Sequence, residues 1–348
     1  MNLLLRILSV VGIGLLTGKA LAQTGSPYQV LDTTQLMGNG GIDYVYADND
    51  ARRVYVPRGG STFVFDLDSH KYIGAITNIG GHGVAIDTAT HHGFSSAGKI
   101  GMFDTATMQK LKDIDVQGRP DGIMREPFTG KILVLSHPSP NVTMIDPKDG
   151  SVTGTLDLGG GPEQAQSDGQ GTLYADLEDQ DQIAVVDLKA MKVTAHYDLQ
   201  GKGGGPGGLG LDAKNHILFA MCHEPATCVI LNADNGTMLA ALPIGNGTDG
   251  GGFNPTTMEA FSSQRDGTLT IIKESSPTSF AVEQTVKTKA GCKTCSLDTR
   301  SNHIVTVCTE RLPGAPAPAP ATNAPAGERR GGGGRGGPGN LDVLWIGR

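Results

Sequence analysis

The sequence contains few aromatic residues. Phe, Trp and Tyr make up 5% of the 348 residues, and Trp345 is the single tryptophan. A planar redox cofactor such as a quinone is commonly held by stacking against aromatic rings, so this scarcity makes a quinone-dependent dehydrogenase the weakest enzyme hypothesis. The glycine-rich stretch Gly201 to Gly208 is not followed by Lys-Ser/Thr or by a helical pattern, so it does not match a phosphate-binding loop.

A long hydrophobic run is also missing. The apolar stretch from Ile7 to Leu16 is too short to span a bilayer. It follows the basic residue Arg6 and precedes Ala20-Leu21-Ala22, a small-residue pattern typical of signal-peptide cleavage sites. We therefore predict a signal peptide at residues 1–22 and a periplasmic or secreted mature protein without a membrane span.

The sequence has no excess of basic residues. It has 28 Lys and Arg against 35 Asp and Glu, a formal net charge of −7. This balance argues against a nucleic-acid partner, because such proteins use a basic surface to neutralise phosphates. The Arg-Gly segment "ERRGGGGRGGPG" is interpreted as a flexible loop rather than an RNA-binding tract.

Glycine, in contrast, is abundant at 51 residues, and it occurs in a pattern that repeats about every forty residues. One repeat, from Gly118 to Gly161, contains four short strand patterns, "GIMREP", "KILVLS", "NVTMID" and "SVTGTLDL", separated by turn residues. Seven residues mark the register of successive repeats: Asp43, Gly83, Asp121, Glu163, Gly207, Asp249 and Lys293. Four strands per repeat and seven repeats predict an all-β fold, a seven-bladed β-propeller over residues 26–348.

The seventh repeat is incomplete in sequence order. Its first two strand patterns are followed by residues 311–340, a Pro/Ala/Gly/Arg-rich segment that we predict to be a disordered insertion within the last blade. The octapeptide "LDVLWIGR" then supplies a third strand, and no fourth strand follows. Because Tyr28 to Gly38 has the pattern of a fourth strand, we predict that this N-terminal strand pairs with the C-terminal strand and closes the ring.

The turns and strand ends resemble those of a known family. The "GGPE" and "GRPD" turns and the "VVDL" and "MIDP" strand ends resemble the secreted YVTN-type, or YncE-like, seven-bladed β-propeller proteins. The resemblance covers nearly all of residues 26–348 and implies a binding or scaffold role without specifying a ligand. The turns "GGHG", "GNGTD" and "AGCK" depart from the family pattern, which argues against a symmetrical ring of ligands.

The candidate site lies where a propeller gathers its loops. Loops between blades, and between the second and third strands of a blade, emerge on one face around the central channel. We expect the ligand-binding residues on this channel face to be Asp43, His82, Asp121, Glu163, Asp249, Arg58, His137 and His223. The same loops carry Glu178, Glu224, Arg265, Glu310 and Arg311.

These histidines and carboxylates could bind a divalent cation, since carboxylates favour hard metals and imidazole favours transition metals. The alternative is that the aspartates cap turns and the histidines lie on solvated loops. For Asp66, Asp104, Asp146 and Asp187, which recur after third strands, we predict Asx turns.

Five cysteines in an exported chain predict disulfides. Cys222 ends a second strand and Cys228 opens the third, which favours a bridge across that hairpin. Cys308 is expected opposite Cys292 or Cys295, and we prefer Cys292. "CKTC" lacks the histidine that follows in a haem-attachment motif.

The sequence therefore favours an exported, monomeric, non-enzymatic scaffold that binds a protein or small-molecule ligand through its channel face. We assign it no catalytic residue and no cofactor, with a divalent cation left open. The alternative is a metal-dependent hydrolase or lactonase that uses His82, His137, Glu163 and Asp121 at the channel mouth.

Overall fold

The computed structural model describes residues 26–311 and 337–348. The predicted signal peptide, at residues 1–22, and most of the predicted insertion, at residues 312–336, lie outside the described residues. No helix in the described part of the chain is long and apolar enough to cross a bilayer.

The described residues form seven antiparallel sheets of four strands each. The first strand of each sheet contacts the first strands of its two neighbours, and the seventh sheet contacts the first, so the sheets close into a ring. The fold is the predicted seven-bladed β-propeller.

The blades follow one another along the chain. Blade 1 contains β2 (Tyr46–Asp48), β3 (Arg53–Arg58), β4 (Ser61–Asp66) and β5 (Tyr72–Thr77). Blade 2 contains β6 (Val84–Asp87), β7 (His92–Ser96), β8 (Ile100–Asp104) and β9 (Gln109–Ile114). Blade 3 contains β10 (Pro120–Arg125), β11 (Ile132–Ser136), β12 (Val142–Ile145) and β13 (Val152–Leu156). Blade 4 contains β14 (Pro162–Ser167), β15 (Thr172–Leu177), β16 (Gln182–Asp187) and β17 (Lys192–Asp198). Blade 5 contains β18 (Pro206–Asp212), β19 (Ile217–Cys222), β20 (Thr227–Asn232) and β21 (Met238–Pro243). Blade 6 contains β22 (Thr248–Asn254), β23 (Glu259–Gln264), β24 (Thr268–Ser276) and β25 (Ser279–Lys287). Blade 7 contains β26 (Cys295–Asp298), β27 (His303–Arg311), β28 (Gly339–Gly347) and β1 (Gln29–Gly38).

The two ends of the chain meet in blade 7, as predicted. β1 pairs antiparallel with β28 from Gln29 opposite Gly347 to Gly38 opposite Gly339. β28 also pairs with β27, where Arg311 lies opposite Gly339. Arg311, Gly339 and Asn340 are therefore strand residues, although the predicted insertion was bounded at 311 and 340.

Trp345 anchors this closing blade. Its side chain is fully buried in the apolar cluster between blades 7 and 1, which also contains Val54 and Phe65. The indole stacks on the His70 ring with a centroid distance of 4.2 Å and donates from Nε1 to the Thr34 hydroxyl. The only tryptophan thus packs the junction on which closure depends.

Each strand's position in its blade follows from its sequence pattern. The second strand β19 (ILFAMC) is apolar throughout and buried at every residue, because both of its faces pack against neighbouring blades. The fourth strand β17 (KVTAHYD) alternates, and alternate residues are exposed at the outer edge of the ring.

The predicted Asx turns are confirmed. Asp66 Oδ1 accepts the Ser69 N–H, and Asp104 Oδ1 accepts the Thr107 N–H. Asp146 Oδ1 accepts the Lys148 N–H, and Asp187 Oδ1 accepts the Lys189 N–H.

Blades 5 and 6 pack with their backbones in direct contact. A Cβ added to Gly208 in β18 would lie 2.7 Å from backbone atoms of Gly250 and Gly251 in β22. A Cβ on Gly210 would lie 2.9 Å from the Gly252 carbonyl oxygen. Glycine is therefore required in these strands because the backbones of β18 and β22 lie too close for a side chain, and not because of a turn.

The predicted hairpin disulfide between Cys222 and Cys228 is wrong. All five cysteines are buried free thiols in the structure. Cys228 lies opposite Met221, so Cys222 points to the other side of the sheet. Cys222 packs in the cluster shared with blade 4, and Cys228 packs in the cluster shared with blade 6.

Candidate functional site at the channel mouth

Lys293 bridges two buried aspartates at the channel mouth. Its ammonium lies 2.6 Å from Asp249 Oδ2 and 3.1 Å from Asp43 Oδ1. Burial lowers the pKa of Lys293, but the charges of Asp249 and Asp43 outweigh it and the pKa is raised. Arg265 adds a second cation 2.7 Å from Asp249 Oδ1.

His82 links Asp43, before blade 1, to Asp121 in blade 3. His82 Nδ1 is hydrogen-bonded to Asp43 Oδ2 at 2.7 Å and lies 3.1 Å from Asp121 Oδ1. Burial lowers the pKa of this imidazole, but the bond to Asp43 and the charge of Asp121 outweigh it and raise the pKa.

His137 joins Asp121 to Glu163 in the same manner. His137 Nε2 lies 3.3 Å from Asp121 Oδ2 and is hydrogen-bonded to Glu163 Oε2 at 3.0 Å. These two carboxylates raise the pKa of His137 to about 10. Burial raises the pKa of Glu163 to about 7, against the lowering effect of His137.

The alternation of acids and bases forms a nearly continuous band around the channel mouth, which we call the rim ring. Its members are Asp249, Lys293, Asp43, His82, Asp121, His137 and Glu163. Tyr44 crosses the ring, and its hydroxyl donates to the Glu163 carbonyl oxygen at 2.8 Å. The Tyr44 hydroxyl also lies 3.3 Å from Glu163 Oε1.

Buried polar groups hold the loops of the rim ring in place. Asp176 Oδ1 accepts the backbone N–H groups of Glu163 and Gln164. The Thr294 hydroxyl donates to the Asp43 carbonyl oxygen and accepts the Val45 N–H. These bonds fix the loops that carry Asp43 and Glu163.

A cavity of about 660 Å³ opens beside the rim ring at blades 3 to 5, and we call it the acidic cavity. The carboxylates in its lining are Glu178, Asp179, Asp181 and Glu224, and the basic groups are Arg119 and His137. Asp179 Oδ1 accepts the Gly161 N–H and Asp181 Oδ1 accepts the Gly205 N–H, each at 2.7 Å. The carboxylates therefore order the cavity's loops and give it an acidic lining.

A smaller cavity of about 280 Å³ lies in the channel itself. Tyr44, Glu163 and Gln164 contribute to its lining. Gln164 Nε2 donates to the Gly251 carbonyl oxygen, and its Oε1 accepts the N–H groups of Leu209 and Gly251. Gln164 thereby ties blade 4 to blades 5 and 6 inside the channel.

The structure brings six of the eight predicted site residues into the rim ring: Asp43, His82, Asp121, His137, Glu163 and Asp249. His223 lies apart from them, with Nε2 3.9 Å from Glu178 Oε1 beside the acidic cavity. Glu310 is exposed, and its Oε2 lies 3.8 Å from Lys289 Nζ. The side chain of Arg311 lies outside the described part of the chain.

Arg58 points away from the channel. Its side chain is fully buried and donates to the backbone carbonyls of Leu36, Gly38, Gly40 and Gly339. It thus binds the two terminal strands where they meet, although it was predicted on the ligand-binding face.

Sequence reasoning missed Lys293 and Tyr44 as site residues. Lys293 stands at the same register position as Asp43, Asp121, Glu163 and Asp249. A lysine at a repeat position where four other blades carry a carboxylate could have indicated that these side chains form ion pairs. Tyr44 follows Asp43 directly, and nothing in its local pattern indicates that it crosses the channel.

Comparison with known proteins supports the fold. No family model matches the sequence, and no curated protein matches it. A chain of the crystal structure of the mitotic checkpoint complex is similar, with a TM-score of 0.68, 14% identity, and coverage of 86% of this chain and 95% of that chain. The crystal structure of the RRP9 WD40 repeats is similar at a TM-score of 0.69 and 11% identity, covering 92% of this chain and all of that chain.

The chain is a seven-bladed β-propeller. At such low identity, the similarity establishes the architecture and gives no ligand, activity or partner.

Proposed function

We propose that the protein is an exported, non-enzymatic and monomeric scaffold that binds a basic segment of a partner protein through its channel face. Secretion and a YVTN-type relationship are part of this proposal, and they rest on the sequence of the first 22 residues and on the repeat turns. WD40 propellers, to which the fold is similar, commonly mediate interactions, and one similar chain comes from a complex.

The acidic cavity is the observation that carries the proposal. It has four carboxylates in a volume of about 660 Å³, and it adjoins the rim ring through His137. A lysine or arginine side chain of a partner fits this charge, because its aliphatic stem can line the cavity while its cationic group meets the carboxylates. The backbone bonds of Asp179 and Asp181 pre-order the cavity before a partner arrives.

The test is binding of defined peptides, measured by fluorescence anisotropy. Short labelled peptides with two lysines or arginines should bind, and peptides of equal length with glutamates should not. Binding should weaken with added salt. The double variant Glu178→Lys/Glu224→Lys should lose at least about tenfold in affinity, which corresponds to about 1.4 kcal/mol.

The matched control reverses two carboxylates on the opposite face of the ring. Asp50 and Asp149 lie in exposed turns between first and second strands and between third and fourth strands. The variant Asp50→Lys/Asp149→Lys should bind the peptides as the wild type does. Equal loss in both double variants, or no preference for cationic peptides, would contradict the proposal.

A metal-dependent hydrolase or lactonase is the second candidate function. It is favoured by the two histidines and three carboxylates that the rim ring gathers within reach of solvent. A cation there would polarise a carbonyl, and a histidine or carboxylate would move the proton. Lactone turnover that requires added Zn²⁺ or Mn²⁺ and disappears in His82→Ala would support an enzyme over a pure scaffold.

The export proposal is also tested at Cys292 and Cys308. Both thiols belong to one buried cluster, in which the neighbouring Cys308 lowers the pKa of Cys292. We propose that they form a disulfide in an oxidising compartment. Alkylation of the unreduced exported protein, followed by mass mapping, should leave Cys292 and Cys308 unmodified and label Cys222, Cys228 and Cys295 after unfolding. Labelling of all five would contradict it.

A further inference from the structure

The rim ring contains two overlapping groups of metal-ligating side chains. One group consists of Asp43, His82 and Asp121, and the other consists of Asp121, His137 and Glu163. Within each group, the ligating nitrogen and oxygen atoms all lie within 4.8 Å of one another. Each group thus offers one imidazole nitrogen and two carboxylates to a common point.

Asp121 is shared by the groups through different oxygen atoms. Its Oδ1 lies 3.1 Å from His82 Nδ1, and its Oδ2 lies 3.3 Å from His137 Nε2. Asp121 is only 6% exposed, and its Oδ1 accepts no hydrogen bond from the described residues. A carboxylate with one oxygen toward each of two sites is the arrangement that bridges ions about 3.5–4 Å apart in two-metal centres.

The outer carboxylates are oriented in a matching way. Asp43 faces Lys293 with Oδ1 and His82 with Oδ2. Glu163 faces the Tyr44 hydroxyl with Oε1 and His137 with Oε2. In Asp43 and in Glu163, one oxygen is thus held by a neighbouring side chain, Lys293 or Tyr44, and the other points into the ligand group. Metal-binding carboxylates in proteins are commonly oriented by such neighbours.

We propose that the rim ring binds a pair of divalent transition-metal ions bridged by Asp121. Asp43, His82 and Asp121 bind the first ion, and Asp121, His137 and Glu163 bind the second. Imidazole combined with carboxylate suits Zn²⁺ or Mn²⁺ better than Ca²⁺ or Mg²⁺. Three protein ligands per ion leave further coordination positions to water.

The neighbouring charges and the solvent access are compatible with two cations. Lys293 pairs with Asp249 and Asp43, and Arg265 also pairs with Asp249. Of the three ligating carboxylates, Asp121 and Glu163 therefore have no Lys or Arg partner among the described residues, and their charges remain to neutralise the ions. The His82 and His137 side chains are 23% and 21% exposed, and His137 lines the open acidic cavity. The metal site adjoins the cavity proposed for the protein partner and shares His137 with its lining, but metal binding does not require the partner.

The test is metal stoichiometry with the purified protein after chelator treatment and dialysis. Isothermal titration with MnCl₂ and with ZnCl₂ should give two equivalents per chain. The nearly isosteric variants Asp43→Asn and Glu163→Gln should each retain one equivalent, and Asp121→Asn should weaken both sites at least about tenfold. Circular dichroism of each variant checks that the fold is kept.

His216→Ala is the matched control, because His216 also pairs with a carboxylate, Asp234, at 2.8 Å, but on the exposed surface. It should keep two equivalents. Fewer than two equivalents in the wild type, loss of an equivalent in His216→Ala, or no loss in either Asp43→Asn or Glu163→Gln would overturn the proposal. Electron paramagnetic resonance of the Mn²⁺-loaded protein should show exchange-coupled ions, and spectra of isolated ions would overturn the shared bridge.

Discussion

At the scale of single residues, the channel mouth depends on buried charges that compensate one another. Among the described residues, Lys293 is the only basic side chain that forms ion pairs with both Asp43 and Asp249. All three side chains are largely buried. Removing one partner of a buried ion pair leaves the others without compensation, which costs far more than losing a surface pair. The ion pairs of the rim ring are therefore needed for a stable channel face.

Lys293→Met should lower the free energy of unfolding by about 3–5 kcal/mol, because it removes the buried ammonium between two buried carboxylates, which then keep only His82 and Arg265 as partners. Urea denaturation at neutral pH measures the change. Lys99→Met is the control, since Lys99 pairs with Asp115 at 2.8 Å on the exposed surface. This variant should destabilise the protein far less than Lys293→Met, because solvent screens an exposed pair. Equal losses in the two variants would contradict the role given to the ring.

The Arg52–Asp298 pair predicts a pH-dependent stability. Burial raises the pKa of Asp298, but the hydrogen bonds from Arg52, at 2.6 Å and 2.7 Å, lower it to about 2. A pKa below that of the unfolded chain stabilises the fold above pH ~4, and this stabilisation is lost as the pH falls toward ~2. Asp298→Asn should cost about 2 kcal/mol at pH 7, and the difference from wild type should shrink in urea titrations near pH 2.5. A difference that stays constant with pH would count against this assignment.

The sequence indicated the residues of the site better than their pairing. Asp43, Asp121, Glu163 and Asp249 could be placed on one face because they share a position in the repeat. Their partners could not be assigned, because His82 and His137 reach carboxylates from neighbouring blades along directions set by loop geometry. Arg58 ends β3 beside a channel-face loop, and its side chain turns into the closing blade, which no local pattern shows.

At the scale of strands, the period-two pattern was sufficient to find the blades. The failure at Cys222 and Cys228 has a specific cause, since two cysteines at the ends of a hairpin can bond only if the register places them on the same side of the sheet. In β19 and β20 the register places Met221 opposite Cys228 instead. Backbone contact between β18 and β22 was likewise not predictable, because the sequence shows the glycines but not what approaches them.

Gly208→Ala should destabilise the protein by about 1–3 kcal/mol, as expected when atoms are forced into a packed interface. The added Cβ would meet backbone atoms of Gly250 and Gly251 at 2.7 Å, and backbone cannot move aside as a flexible side chain can. Gly60→Ala is the control, because a Cβ at Gly60 has nothing within 4 Å. Thermal unfolding of both variants tests the contact, and similar melting temperatures would argue that blades 5 and 6 are less tightly packed.

At the scale of the whole molecule, closure of the ring brings the site together. Asp43 and Lys293 are far apart in sequence and meet because β1 completes blade 7 next to blade 1. Arg58 and Trp345 stabilise that junction from two sides, through backbone carbonyls and through apolar packing. The repeat period and the missing fourth strand made this closure predictable from the sequence.

Deleting Leu341–Arg348 should prevent folding or lower the melting temperature strongly, because it removes most of β28 and leaves β1 and β27 without their shared partner. Deleting residues 315–336 should change the melting temperature little, since β27 and β28 remain paired. Scanning calorimetry of the two truncations compares them directly. Comparable melting temperatures would contradict the importance of the C-terminal strand.

Closure of the ring by the two terminal strands is tested most directly by a cross-link between them. Met37 in β1 lies opposite Asn340 in β28, and Met37 is 56% exposed. In the double variant Met37→Cys/Asn340→Cys, mild oxidation of the folded protein should join the two introduced thiols within one chain, as shown by mass mapping of the digest. A pair placed on distant surfaces, Met37→Cys/Asp149→Cys, should stay unlinked. Folded protein in which the first pair also stays unlinked would contradict a ring closed by its own termini.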